Sequence, residues 1–259
     1  MSEELYEHPE YYDVAFSWDL DPEVEFFGRV FREHAPFEVR RILEPCCGTG
    51  RFLLALPRHG YSVTGYDINP RVVEYATKRV EEEGDPAAAC AIEGDMVSAR
   101  FDRQFDAALN SINSLGYLRT DGEIVRHLSN TGDALRPGGV YIVHVACAWD
   151  GEPALDHNTW VMERNGVRVR TTWTVEREDR EAKLSHQLCS MEIEDHGSRL
   201  VLVDRHVLRL WTYDDLRELV ERSGSLCLIA VYSEDFRPLP IDSHVSGELG
   251  NLYHILAAR

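Results

Sequence analysis

Glu44-Pro-Cys-Cys-Gly-Thr-Gly50 is the segment of this 259-residue chain best suited to holding a ligand. Two close glycines follow a short apolar run and precede a helical one. Backbone N–H groups and a helix N-terminus can therefore come close to a bound molecule. Several nucleotide chemistries use such a turn. The dinucleotide fingerprint needs a third glycine three residues after the second, where Leu53 stands. A phosphate-binding P-loop needs Gly-Lys-Ser/Thr, which is absent here. Asp67 ends the next apolar run, where a carboxylate can accept from both hydroxyls of a ribose; the alternative is an acid stabilised by a helix dipole. Asp95, in Glu93-Gly-Asp-Met96, could take the amino group of an adenine with Met96 on its ring, or simply close a turn. His144, near the end of the apolar run Val140 to Ala146, is a candidate base or a satisfied core histidine. The eleven histidines, among them His157, His186 and His206, and the six cysteines show no spacing of a metal site, so no metal is expected.

These residues need elements to position them, and the apolar patterning supplies a plan. Asp21-Pro-Glu23 reads as a helix start, with Asp21 as cap, Pro22 at the first helical position and Val24, Phe27, Val30 and Phe31 on the buried face. Runs 41–44, 61–67, 88–92, 105–109 and 140–146 read as strands. Helices over 51–59, 70–83 and 122–135 separate them, with Asn69 capping the second of these helices. Such alternation argues for βαβ units in a doubly wound sheet, whose ligands sit at the carboxyl edge. Asn110-Ser-Ile-Asn-Ser-Leu-Gly-Tyr117 is the polar segment at that edge. After residue 150 the pattern changes to about four extended runs, with Asn165-Gly166 as a hairpin signal and Asp195-His-Gly197 as a second turn. A helix over 213–223 with Thr212 as cap and strands over 227–232 and 252–257 complete the plan; 237–251 reads as a loop. The expected fold is α/β: a doubly wound, seven-stranded Rossmann-like sheet with an antiparallel β insertion and an N-terminal helical lid. The corresponding division is 1–36 lid, 37–148 cofactor-binding core, 149–211 insertion and 212–259 the end of the core.

Taken in order, Ile42-Leu-Glu-Pro-Cys-Cys-Gly-Thr-Gly50, Gly65-Tyr-Asp-Ile68, Glu93-Gly-Asp-Met96, Phe105-Asp-Ala-Ala-Leu-Asn110 and Leu135-Arg-Pro-Gly-Gly139 resemble the class I S-adenosylmethionine-dependent methyltransferases. The resemblance covers residues 40 to 146, with weaker support from 213 to 258. It implies that Glu44 and the backbone of Cys46, Cys47, Gly48 and Gly50 face the methionine part of S-adenosyl-L-methionine. It also implies that Asp67 binds the ribose, with Ile68 beside the adenine, and that Asp95 and Met96 hold the adenine. Asn110 and Leu115 would line the cofactor next to the transferred methyl. The family usually has glycine where Cys46 stands, so this cysteine must tolerate the turn's backbone. Tyr11-Tyr-Asp-Val-Ala-Phe16 resembles the lid of small-molecule members, in which a tyrosine closes over the cofactor carboxylate. That role falls on Tyr12, although core packing is an equal reading of each aromatic there.

A net charge of −18, with Lys78 and Lys183 the only lysines and no basic run, disfavours nucleic acid as a partner. It also fits either a GC-rich coding sequence or adaptation to high salt. No apolar run is long enough to span a membrane and the N-terminus lacks a signal pattern, so the expected location is the cytoplasm. The expected activity is in-line N- or O-methylation of a small molecule, with S-adenosyl-L-homocysteine as product. The alternatives are a protein or RNA methyltransferase, a non-catalytic cofactor-binding protein of the same fold and, less well matched, a nicotinamide oxidoreductase. The insertion would cover the substrate or mediate a homodimer.

Overall fold

The computed structural model describes residues 4–102, 104–146, 157–241 and 251–259. A 3-10 turn at Glu4–Glu7 leads into α1 (Pro9–Ala15) and α2 (Asp21–His34). The core then runs β1 (Arg41–Pro45), α3 (Arg51–Ala55), β2 (Ser62–Asp67), α4 (Pro70–Glu83), β3 (Ala89–Glu93), β4 (Phe105–Asn110), α5 (Asp121–Ala134) and β5 (Leu135–Ala146). Four long strands follow: β6 (His157–Arg164), β7 (Val167–Asp179), β8 (Leu184–Asp195) and β9 (Ser198–Arg209). The chain ends with α6 (Tyr213–Ser223), β10 (Leu226–Tyr232), β11 (Pro238–Leu239) and β12 (Asn251–Ala258).

The main sheet has the order β3-β2-β1-β4-β5-β12-β10-β11. Strands β1 to β5 are parallel and β12 joins β5 antiparallel. β4 is buried throughout and β1 after its first residue, as strands covered on both faces must be. The chain leaves β1 toward β2 and β3, then returns to β4 on the other side. This reversal opens a crevice at the carboxyl ends of β1 and β4, next to the glycine turn.

Strands β6 to β9 form a separate antiparallel sheet in sequential order. Asn165-Gly166 and His196-Gly197 have φ of 54° and 80°, and of 45° and 91°. Both central residues of each two-residue turn are thus left-handed, the twist that closes a tight hairpin. One face of this sheet carries Val169, Cys189, Met191, Ile193 and Leu202, packed on Leu5, Val14, Ala15 and Phe16 of the N-terminal segment. Trp160 also donates its indole N–H to the Ala15 carbonyl at 2.7 Å, so the first helix and the second sheet form one layered unit.

Several expectations shift. The sheet has an eighth member, the two-residue edge strand β11, inside the stretch read as a loop; Pro238 is tolerated there because an edge strand needs no inward donor at that position. Residues 242–250 of that stretch lie outside the described residues, as does the expected boundary at 148/149. Asp21 is not the cap of α2 but its first residue; Leu20 occupies the cap, and the Asp19 carboxylate accepts the Asp21 N–H at 3.0 Å. β5 begins at Leu135 rather than Val140, because Leu135 pairs with Phe105 ahead of a bulge. Asn69 and Thr212 cap their helices through their side chains.

Candidate active site

The turn after β1 is built from backbone. The Cys47 N–H donates to the Tyr66 carbonyl at 3.0 Å, and the Gly48 N–H donates to Asp67 Oδ2 at 3.1 Å. Cys46 has φ of 59°, the left-handed region that favours glycine, so it carries the strain its position implied. Its thiol lies beside Ser114 and Asp67, and burial pushes its pKa well up. Gly50, at φ 78°, caps α3, and a Cβ there would stand 3.2 Å from that of Ala76. That close approach of α3 and α4 is what the second glycine allows.

Asp67 is 8% exposed and its second oxygen accepts the Asn69 N–H at 3.0 Å. One carboxylate thus ties the glycine turn to the start of α4. Burial raises its pKa, opposed by the backbone donors. Ile68 is 70% exposed at the rim. Asp95 closes its own turn, accepting from Val97 N–H at 2.9 Å and Ser98 Oγ at 3.3 Å, with its carboxylate half-buried. Met96 packs in the core, and its sulfur accepts from Asn110 Nδ2 at 3.8 Å. Asn110 Nδ2 also donates to the Pro45 carbonyl at 3.1 Å, which leaves Oδ1 buried without a partner. Leu115 is fully buried in the core cluster that contains Met96 and Trp211.

Tyr12 comes in from α1, stacked on Phe16 at 4.4 Å, and its ring is 5.3 Å from that of Tyr6. Arg51, Cys46, Cys189 and Asp67 stand around its hydroxyl, and burial raises its pKa. α1 is fixed by Asp13, which is 1% exposed and binds Arg79 at 2.7 Å, Tyr75 at 3.1 Å and Arg164 of β6.

His144 accepts the Ile112 N–H at Nδ1 over 3.2 Å and stacks on Tyr253 at 4.3 Å. A neutral imidazole with Nδ1 accepting carries its hydrogen on Nε2, which is buried and unpartnered. As placed, His144 is a donor rather than a base. It also pins the left-handed pair Ile112 and Asn113, at φ 51° and 56°.

Reasoning from sequence missed Arg51 and Glu23. Arg51 Nη1 and Nη2 are buried without partners, its guanidinium lies 4.3 Å over Trp18, and Glu23, Tyr12, Asp13 and Glu44 surround it. A cation in the first turn of α3 opposes the helix dipole, and that anomaly was the available signal. Glu44 is 3% exposed with Oε2 unpartnered, and burial raises its pKa against the Arg51 charge. Glu23 accepts the Tyr253 hydroxyl at 3.0 Å.

Glu44, Arg51, Asn110 and His144 thus each hold a buried, unpartnered polar atom at the carboxyl edge. Native interiors rarely leave such atoms unmatched, because each costs about 1–3 kcal/mol. A zwitterionic amino acid fits them: Glu44 for its ammonium, Arg51 for its carboxylate. Asp67 fits a ribose. The residues present therefore fit S-adenosylmethionine.

Comparison with known proteins agrees. Residues 42–139 match the family described as a methyltransferase domain. The dTDP-3-amino-3,4,6-trideoxy-alpha-D-glucopyranose N,N-dimethyltransferase of Streptomyces venezuelae is 26% identical over 187 residues, 65% of this chain and 76% of that enzyme. The structure of Streptomyces venezuelae DesVI superposes with a TM-score of 0.77 at 21% identity, covering 95% of this chain and 97% of that one. That of CalS10 with bound S-adenosylmethionine, an amino pentose methyltransferase from Micromonospora echinaspora, does so at 0.73 and 17%, covering 96% of each. With the motifs, their order and the geometry in agreement, residues 42–139 carry a methyltransferase domain, and the chain has the fold of the S-adenosylmethionine-dependent methyltransferases it resembles.

Proposed function

We propose that this chain methylates the amine nitrogen of a small, sugar-like molecule. The observation that carries this reading is that the N-terminal segment and the antiparallel sheet meet beside the glycine turn. Tyr6 and Tyr12 lie beside Cys46 of that turn, and Tyr6 meets His206, itself stacked on Trp173 of the antiparallel sheet; such a border of aromatic and polar side chains suits a small acceptor. The relative that this chain matches over three-quarters of its length is named as an amino-sugar N,N-dimethyltransferase, which supports an amine acceptor.

The bound cofactor supplies an electrophilic methyl on a sulfonium. The protein's own part is to bind, orient and exclude water. Glu44 and Arg51 hold the amino-acid end, Asp67 the ribose, and Ile68, Asp95 and Met96 the adenine. Asn110 and the loop pinned by His144 line the methyl, and Leu115 backs that loop from the core. Tyr12 closes over the amino-acid end from the lid. The parts are then 1–36 as lid, 37–148 and 212–259 as cofactor core, and 149–211 as cover.

The test is a panel of free and nucleotide-linked amino sugars, simple amines and phenols, incubated with the protein and S-adenosylmethionine and read by mass spectrometry. One or two methyl additions to an amino sugar are expected. Methylation of phenols alone, of protein or of RNA would contradict the reading.

We also infer that a second copy packs on the outer face of the antiparallel sheet. Val201 and Val203 are 61% and 43% exposed on edge strand β9, with Val161 at 42% across the sheet. Light scattering should report a dimer that the double substitution Val201→Lys, Val203→Lys converts to monomer; a monomeric wild type contradicts this.

A further inference from the structure

Three elements far apart in sequence meet in a chain of hydrogen bonds. The Tyr6 and Tyr117 hydroxyls are 2.7 Å apart, and Tyr117 Oη is 3.1 Å from His206 Nδ1. Tyr6 belongs to the N-terminal 3-10 turn, Tyr117 ends the polar segment that leaves β4, and His206 lies on β9. His206 is 2% exposed. Its ring is stacked on Trp173 at 4.9 Å and 16°, and Tyr6 and Tyr117 stand edge-on to it at 6.1 and 6.0 Å. Trp173 is itself held by an indole bond to Gln187 Oε1 at 2.5 Å. The imidazole is thus locked by aromatic packing and by one hydrogen bond at Nδ1.

Two further facts set this histidine apart from a core residue. Nε2 is buried with no partner among the described residues, so the site is incomplete without a ligand atom. The hydroxyl end of the chain reaches the cofactor turn: Cys46 and Tyr12 are neighbours of Tyr6. The charged and titratable groups facing the imidazole are Tyr6, Tyr117, Asp204 and, behind Asp204, Cys189. Asp204, on the same face of β9, accepts the Leu5 N–H at 3.3 Å and is the carboxylate nearest a charge arising on the ring. Burial holds the imidazole pKa below its ordinary value, with Asp204 opposing, so the resting ring is neutral and able to take a proton.

We propose that Tyr117 and His206 form a proton relay that accepts the proton released by the amine acceptor. Nδ1 is the receiving atom, and Nε2–H grips an oxygen of the same molecule. This rests on the amine-methylation reading. As the nitrogen lone pair forms the N–CH3 bond, the sulfur keeps the electron pair of the broken S–CH3 bond. The nitrogen's N–H bond then breaks and its proton passes to Tyr117 Oη. Tyr117's own O–H breaks in the same step, and that proton forms Nδ1–H. His206 becomes an imidazolium beside Asp204 and returns its proton to solvent after release. Tyr6, hydrogen-bonded to Tyr117, orients the hydroxyl. The acceptor is accordingly a molecule carrying an amine with an oxygen close by, as a sugar does.

The test has two arms. In the first, 15N NMR of the histidine ring is recorded on the protein with S-adenosylhomocysteine at pH 7.5. The expected state of His206 is neutral with its hydrogen on Nε2, changed in Tyr117→Phe. A hydrogen on Nδ1, or a protonated ring, overturns the relay, because Nδ1 could not receive a proton. This arm needs no turnover, so it stands even if no amine in the panel is methylated. In the second, the pH profile of kcat is measured with the best amine of the panel. His206→Asn is expected to lower kcat about 100-fold, the low end of general-base effects. It should also abolish the acidic limb of the profile and leave S-adenosylhomocysteine affinity within twofold. An unchanged limb and kcat overturn the relay while leaving amine methylation intact. Loss of kcat together with cofactor affinity assigns His206 to packing alone.

Discussion

A left-handed backbone at Cys46 and an unpaired guanidinium at Arg51 are the two residue-level costs at the glycine turn. A non-glycine residue at φ 59° costs about 1–2 kcal/mol, so Cys46→Gly should raise Tm by about 2–4 °C. A differential scanning measurement checks this, and a lower Tm would mean that the thiol's contacts outweigh the strain. Arg51 has a different purpose. If it binds the carboxylate of the cofactor, Arg51→Leu should weaken S-adenosylhomocysteine by about tenfold or more, the scale of a charge-assisted bond. 5′-Methylthioadenosine lacks that carboxylate, so its affinity should stay within twofold; calorimetry of both ligands separates a lost contact from a distorted site. At this scale the sequence was legible where function depends on backbone or short-range spacing. Glu44, the glycine turn, Asp67 and Asn110 all lie at the carboxyl edge where their motifs put them. Arg51 and Glu23 were not legible, because their neighbours come from α1, α2 and β12, far away in the chain.

At the scale of elements, Asp13 joins α1, α4 and β6. This buried carboxylate links α1 to α4 through Arg79 and Tyr75, and to β6 through Arg164. Removing one partner of a buried ion pair strands the other, at about 3–5 kcal/mol. Asp13→Ala should therefore lower stability in urea unfolding by that amount. It should also raise hydrogen exchange over residues 9–15 and 157–164 while leaving the main sheet's strands protected. Uniform loss of protection would show that Asp13 holds the whole fold rather than this junction. The hairpins at Asn165-Gly166 and His196-Gly197, and the caps at Asn69 and Thr212, were readable because each is decided within four residues. The joining of α1 to the second sheet was not, since alternation in β7 to β9 states which face is apolar but not what covers it. The Tyr6–Tyr117–His206 chain was hidden for the same reason.

Among the described residues, three histidines have a pKa that burial depresses to about 4: His127, His144 and His254. His127 bonds the Met96 carbonyl at 3.2 Å and the Tyr141 hydroxyl at 2.7 Å. Each is neutral in the fold and takes a proton near pH 6.5 when unfolded. The unfolded chain thus binds more protons between those values, and stability falls as pH drops from 6.5 toward 4. Each histidine contributes about 2–3 kcal/mol to that loss. Tm measured across this window should fall steadily, and His127→Gln should flatten the slope; an unchanged slope would show that His127 titrates alike in both states. The central claim, that the carboxyl edge is a methyl-donor site, meets its most direct test in calorimetry of S-adenosylhomocysteine with wild type and Asp67→Ala. The expected result is saturable one-to-one binding by the folded wild type and at least tenfold weaker binding by a variant that keeps its fold. No binding by the folded wild type would contradict the site, and equal affinity in the two proteins would remove Asp67 from it.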